Sequence, residues 1–182
     1  LGKMKGMGKV VEWSVRDEAL IEGTHVSTKD GSKRIEEITL EDEVLQFDMN
    51  TREFSYVNPD KHQHVVRDES YKFEHPQFNQ HVSPNHRMIY EEDGEIKECL
   101  AKDFVPSPNK FFLAMENKRI PSTEVKITHE KHEPKNFYCI GVPGKAFVVK
   151  DENGNKSVTG NTMHVEGISK LFKAFCKEHP RI

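Results

Sequence analysis

The feature that most limits how this chain can fold is a helix pattern that stops in mid-stride and resumes 143 residues later. "VVEWSVRDE", ending at Glu18, has the charge and apolar spacing of a helix, yet "GTHVSTKDG" begins again as a strand entering a turn. No proline, capping glycine or polar linker separates the two. At the far end "VTGNT" closes a turn-rich region, and from Thr162 the text "TMHVEGISKLFKAF" carries helical spacing at Ile168, Leu171, Phe172 and Phe175. Joined directly, residues 1–18 and 162–182 make one uninterrupted amphipathic helix. Residues 19–161 are then an insert with its own fold.

That insert reads as β. Short runs such as "EVLQFD", "YKFEH", "KFFLAM", "FYCIGV" and "AFVV" are bounded by Asp-Gly, Asn-Pro, Pro-Gly and Asn-Gly, which favour tight turns. It also echoes itself: "IEEITLEDEV" from Ile35 aligns without gaps on "IKECLAKDFV" from Ile96, and each follows an Asp-Gly turn. The repeat predicts an all-β body of two halves related by a pseudo-twofold axis.

Composition narrows the function classes. The chain has 182 residues, about one domain, with 31% charged and 35% hydrophobic residues and a net charge of -3. That balance gives no electrostatic case for nucleic acid, and the absence of a long apolar run gives none for a membrane span. A cytoplasmic monomer is the expectation. Cys99, Cys139 and Cys176 are odd in number and widely spaced, which argues against a disulfide framework. "HQH" at 62–64 and "HEKH" at 129–132 are expected to be solvated loop histidines rather than ligands.

The rejoined junction reads Glu18, Thr162, Met163, His164, an E-x-x-H. Positions i and i+3 share a helix face, and this spacing lets a carboxylate and an imidazole bind one metal in di-iron carboxylate bundles. Neither flank holds the motif alone.

On these residues the insert resembles an intein, a self-splicing element of the Hint fold. The flanks resemble the metal-binding helix of a ribonucleotide reductase small subunit, in which "RDE-x-x-H" supplies iron ligands. The resemblance implies a Hint-type horseshoe of two pseudo-twofold-related β subdomains, with 1–18 and 162–182 as short flanking exteins and the chain's own flanks as its partners. It implies no cofactor. Iron binding by Glu18 and His164 is expected only in the spliced host, because a di-iron centre needs further helices absent from the 18- and 21-residue flanks.

The resemblance also assigns roles. "ALIEGTHVSTKDG" matches the family's first motif, and "SPNH", Ser83 to His86, matches its T-x-x-H, whose histidine faces the upstream scissile amide. On residues alone, "SPNH" is equally a turn capped by its own side chains. "NFYCIGVPGKAFVV" matches the penultimate motif with Cys139 where aspartate often stands, either a small buried hydrophobe or a thiol near both junctions. Asn161 is implied to cyclise to a succinimide, cutting before Thr162, whose hydroxyl accepts the upstream segment. Two positions depart from the pattern. Ala19 has no nucleophile, so the favoured expectation is a precursor arrested by replacement of a cysteine. The other is a natural variant using Cys139 or Thr162 first, although the tryptophan expected of such a class is absent, Met88 standing there. Gly160 replaces a histidine that would polarise the Asn161 carbonyl, and "GKAF" lacks the histidine often found there too. From a different class comes the alternative of a non-catalytic β-rich binding module.

Overall fold

A computed structural model describes residues 18–116 and 118–162. The helical flanks, His164 and Cys176 lie outside the described residues, so the structure does not place the E-x-x-H pair. What it does describe is β throughout, with three short 3-10 turns at Ile35–Glu37, Ala101–Asp103 and Ser122–Glu124.

Three antiparallel sheets divide the strands. The first closes on itself: β1 (Leu20–Ile21), β12 (Lys126–Gly141), β6 (Lys61–His75) and β7 (Phe78–Val82), with β7 pairing back onto β1. The second runs in the order β11 (Arg119–Pro121), β10 (Lys110–Leu113), β8 (Arg87–Glu92), β9 (Glu95–Leu100). The third contains β14 (Lys156–Gly160), β13 (Lys145–Lys150), β2 (His25–Thr28), β4 (Val44–Asp48) and β5 (Phe54–Val57), with β3 (Gly31–Arg34) paired to β2.

Side-chain periodicity explains the layering. Strand β7 alternates buried and half-buried positions, as a strand with one face on the core should. Strand β13, paired on both edges, is buried at Ala146, Phe147, Val148 and Val149 because both its faces are covered: Phe147 and Val149 pack in the main core, and Ala146 in a second cluster with Phe47, Ile89 and Val158. Phe73, Phe78, Phe104 and Phe112 join the first sheet to the second, with Phe78 stacked on Phe112 at 4.6 Å between ring centres. Each fully buried ring contributes about 2–3 kcal/mol of transfer free energy.

Each echoed segment contains a 3-10 turn that follows a hairpin, β2–β3 in the third sheet and β8–β9 in the second, but Ile35–Val44 begins after its hairpin and Ile96–Val105 begins within its own. The equivalence is one of units rather than of aligned residues. Ile35 opens its 3-10 turn, whereas Ile96 lies inside β9 and the matching turn begins at Ala101. In the second hairpin Asp93 and Gly94 both take positive φ, 52° and 82°, which is why an Asp-Gly pair serves there.

The long pair β6–β12 sets the register of everything that follows. Its ladder shifts between Lys131 and Lys135, around Pro134, which has no N–H to give to a ladder and is tolerated at a bulge. Past the shift Cys139 stands opposite Gln63. The "HQH" and "HEKH" histidines thus lie in strands, not loops. His62 and His64 flank Tyr138 on the outer face, while Gln63 between them turns inward.

Candidate functional site

Both ends of the insert are drawn to one point on β12. Strand β1 pairs Leu20 with Tyr138, which brings the preceding residue, Ala19, level with Cys139. At the other end the Thr162 amide donates to the Ile140 carbonyl at 3.0 Å. Neighbouring β12 positions therefore serve the upstream and downstream junctions, and Glu18, Ala19, Asn161 and Thr162 are all buried.

The Glu18–Ala19 peptide bond is held at both ends. Its N–H donates to Ser83 Oγ at 3.1 Å, and the Ser83 amide donates back to the Ala19 carbonyl at 2.9 Å. Its carbonyl oxygen, on Glu18, lies 3.5 Å from Gln63 Nε2. Ser83 to His86 forms a tight turn, the His86 amide donating to the Ser83 carbonyl at 3.0 Å. So the plain turn and the family motif describe the same residues.

His86 departs from its expected place. Its Nε2 meets Thr159 Oγ1 on β14 at 2.6 Å, while Ser83 takes the upstream amide N–H. Nδ1 has no hydrogen-bond partner among the described residues. Burial first, and then the neighbouring Arg87 charge, lower the His86 pKa to about 3, so the ring is neutral at ordinary pH. A histidine buried in its neutral form binds its proton more readily when unfolded. Stability is therefore fully present above about pH 6.5, the unfolded value, and is lost as pH falls from there toward about 3. His81 acts in the same direction, lowered to about 4, first by burial and then by Lys72. Urea unfolding should show stability falling by about 1.4 kcal/mol per pH unit below 6.5 from His86 alone; a midpoint independent of pH between about 6.5 and 5 would contradict the buried neutral ring.

Cys139 is wholly buried, with its thiol 3.6 Å from the Ile140 carbonyl and 3.9 Å from the Gly160 carbonyl. Burial pushes its pKa far above the ordinary thiol range and the Glu18 carboxylate raises it further. Hydrogen bonding with the backbone of Ile140 and Thr162, and the Arg87 charge, oppose the rise. The same side chain is thus a buried hydrophobe and a thiol beside both junctions. Its resting state is the protonated thiol.

Asn161 is gripped by Arg87, which composition and motif did not single out. Arg87 Nη1 donates to the Asn161 backbone carbonyl at 2.9 Å and to its Oδ1 at 3.0 Å, while Asn161 Nδ2 donates to the Val142 carbonyl at 2.8 Å. Arg87 is 5% exposed, and its other nitrogen is anchored by Glu98 and Met49. A charged donor polarises the Asn161 carbonyl, as the histidine expected at position 160 would. Its only sequence cue is its place directly after His86. Thr162 Oγ1 donates to Gln63 Oε1 at 3.0 Å, so Gln63 touches both junctions, and it too escaped the sequence reading. Among the described residues no group of three or more histidine, cysteine or acidic side chains could hold a metal ion. No helix among them is long and apolar enough to cross a membrane.

No family model matches the chain. A GSH-linked, splice-inactive variant of the AceL NrdHF class 3 split intein, carrying one cysteine-to-alanine and one asparagine-to-alanine substitution, is 65% identical to it. That structure superposes with a TM-score of 0.80 over 81% of this chain and 100% of its own length. A bacterial intein-like domain from Clostridium thermocellum shares the fold at 17% identity, with a TM-score of 0.64 over 79% of this chain and 99% of that one. The ribonucleoside-diphosphate reductase subunit beta of Aquifex aeolicus is 36% identical over 85 residues, which are 44% of this chain; the match spans only 12% of that relative's length. All-β architecture, the two ends of the β body meeting on one strand, and this likeness over a whole solved intein agree: the chain belongs to the inteins.

Proposed function

We propose that residues 19–161 are a self-splicing intein that excises itself from a ribonucleotide reductase small-subunit precursor and joins Glu18 to Thr162, with Cys139 as its first nucleophile. The partial likeness to a reductase beta subunit and the rejoined "RDE-x-x-H" support that host. The division into 1–18, 19–161 and 162–182 follows from the same reading, and the flanks are the only partners it needs.

The observation that carries the reading is the Cys139 thiol, buried beside Glu18 and Thr162. The acyl shift at position 19 is closed, because Ala19 offers no lone pair. Cys139 can attack the Glu18 carbonyl directly, making a branched thioester as the bond to Ala19 breaks and its nitrogen takes a proton. Thr162 Oγ then displaces the sulfur, Asn161 Nδ2 attacks its own carbonyl and releases the Thr162 amine, and that amine converts the ester to an amide. Each step exchanges one acyl linkage for another, and the fold supplies proximity. The class 3 split intein was made splice-inactive by removing a cysteine and an asparagine 22 positions apart, and Cys139 and Asn161 are 22 positions apart in this chain.

The contrasting reading is a precursor arrested at Ala19, in which only slow cleavage after Asn161 occurs. A thiol trap separates the two. With Asn161→Ala blocking the downstream step, dithiothreitol should release residues 1–18 as a thiol adduct, detected by intact mass. A chain that stays whole under dithiothreitol favours arrest and overturns Cys139 as first nucleophile.

A further inference from the structure

We infer that Gln63 is a catalytic residue shared by the two junctions: its amide N–H stabilises the oxyanion formed on the Glu18 carbonyl, and its amide oxygen orients the Thr162 hydroxyl toward the same carbon. The inference rests on the reading that the Glu18–Ala19 bond is cut upstream and that Thr162 is the acceptor.

Gln63 lies on β6 opposite Cys139, and it is 8% exposed. Its Nε2 is 3.5 Å from the Glu18 carbonyl oxygen, and its Oε1 accepts from Thr162 Oγ1 at 3.0 Å. The orientation of the carboxamide follows from its partners. A backbone carbonyl only accepts, so the NH₂ must face Glu18, which leaves the oxygen for a hydroxyl able to donate. A separation of 3.5 Å is the outer edge of a hydrogen bond in the resting precursor. Such contacts tighten when the acceptor gains charge, and this oxygen gains it twice.

The first gain comes when Cys139 Sγ bonds to the Glu18 carbonyl carbon. The tetrahedral intermediate collapses by breaking the bond to Ala19, whose nitrogen receives the proton the thiol gives up. In the second, Thr162 Oγ bonds to the same carbon, the carbon–sulfur bond breaks, and the hydroxyl proton returns to sulfur. Gln63 N–H faces the oxyanion in both. In the second step its Oε1 also holds the attacking hydroxyl by its hydrogen, fixing that oxygen near the carbon it attacks and raising its electron density. Glutamine suits this place because one planar group carries a donor and an acceptor, each aimed at a different junction. Asn161 is held separately by Arg87 and Val142, so downstream cyclisation has its own machinery.

The test uses the 182-residue chain, followed by intact mass. Gln63→Met keeps the volume and removes donor and acceptor together. Dithiothreitol-induced release of residues 1–18 and formation of ligated product should both slow about 100-fold, while cleavage after Asn161 keeps its rate. Gln63→Glu gives a signature that mere packing cannot: the protonated acid donates and accepts as glutamine does, and the carboxylate only accepts. Its upstream rate relative to the unsubstituted chain should therefore rise as pH falls from about 8 to about 5. The inference is overturned if Gln63→Met releases residues 1–18 at the unsubstituted rate. It is equally overturned if upstream and downstream cleavage fall together in Gln63→Met and the Gln63→Glu deficit does not change with pH. A Cys139→Ala arm separates the two levels of the argument: upstream cleavage that persists there defeats the reading beneath this inference, whatever the Gln63 variants do.

Discussion

Cys139→Ala is expected to abolish cleavage between Glu18 and Ala19 and with it all ligated product, leaving slow release of residues 162–182. Removing a covalent nucleophile outright costs at least about 10⁴-fold, because no neighbour replaces it: position 19 is alanine, and the Thr162 hydroxyl, a weaker nucleophile than a thiol, displaces sulfur from a thioester far more readily than it opens an amide. The fold should survive. Cys139 is a fully buried side chain differing from alanine by one sulfur, so the cavity costs about 1 kcal/mol, and circular dichroism should not change. The unsubstituted chain should also show a characteristic pH profile. Burial and the Glu18 carboxylate keep the thiol protonated through neutral pH, so the upstream rate should climb about tenfold per pH unit as the thiolate fraction grows. His86, neutral above about 3, adds no break to that slope. Residual ligation in Cys139→Ala, or a rate flat with pH around neutrality, would rule out the buried thiol as the group that opens the reaction.

The parts of this architecture written locally were legible in the sequence. Turn dipeptides announced the strands, whereas the broken helix pattern, from which the ends of the insert were read, lies in flanks outside the described residues. Asn161, Thr162 and Cys139, singled out by their match to family motifs, are brought together by the fold. What stayed hidden depends on strands far apart in sequence. Gln63 was obscured by the two histidines beside it, although strict alternation along a strand would have put it on the face opposite to both. The bulge at Pro134 decides that Cys139 meets Gln63, and a two-residue slip of that kind has no sequence reading until the partner strand is known. His86 looked like the partner of the upstream amide because the motif was matched by position, whereas the folded turn gives that N–H to Ser83 and aims the imidazole at Thr159. Position does not fix direction.

Arg87→Met is expected to slow cleavage after Asn161 by about 10²–10³-fold, the loss typical of one oxyanion donor. The measurement is release of residues 162–182 in a Cys139→Ala background, where no upstream step contributes. A Cβ at Gly160 would lie 2.5 Å from the Arg87 carbonyl oxygen and 2.8 Å from the Arg87 Cβ, closer than any side chain tolerates. Histidine before the asparagine is thus excluded by the same β8 backbone that delivers the guanidinium to the Asn161 carbonyl. Glycine at 160 and arginine at 87 form one solution: the first lets the strands approach, and the second spans the gap with charge. Methionine should fill the space at little cost to folding, since the Glu98 side chain left behind is 47% exposed and can hydrate. Arg87→Lys should fall between, because an ammonium carries the charge but lacks the second nitrogen that, bound to Glu98, fixes the one donating to the Asn161 carbonyl and Oδ1. Asparagine cyclisation at an unchanged rate in Arg87→Met would mean that a group other than this guanidinium polarises the carbonyl.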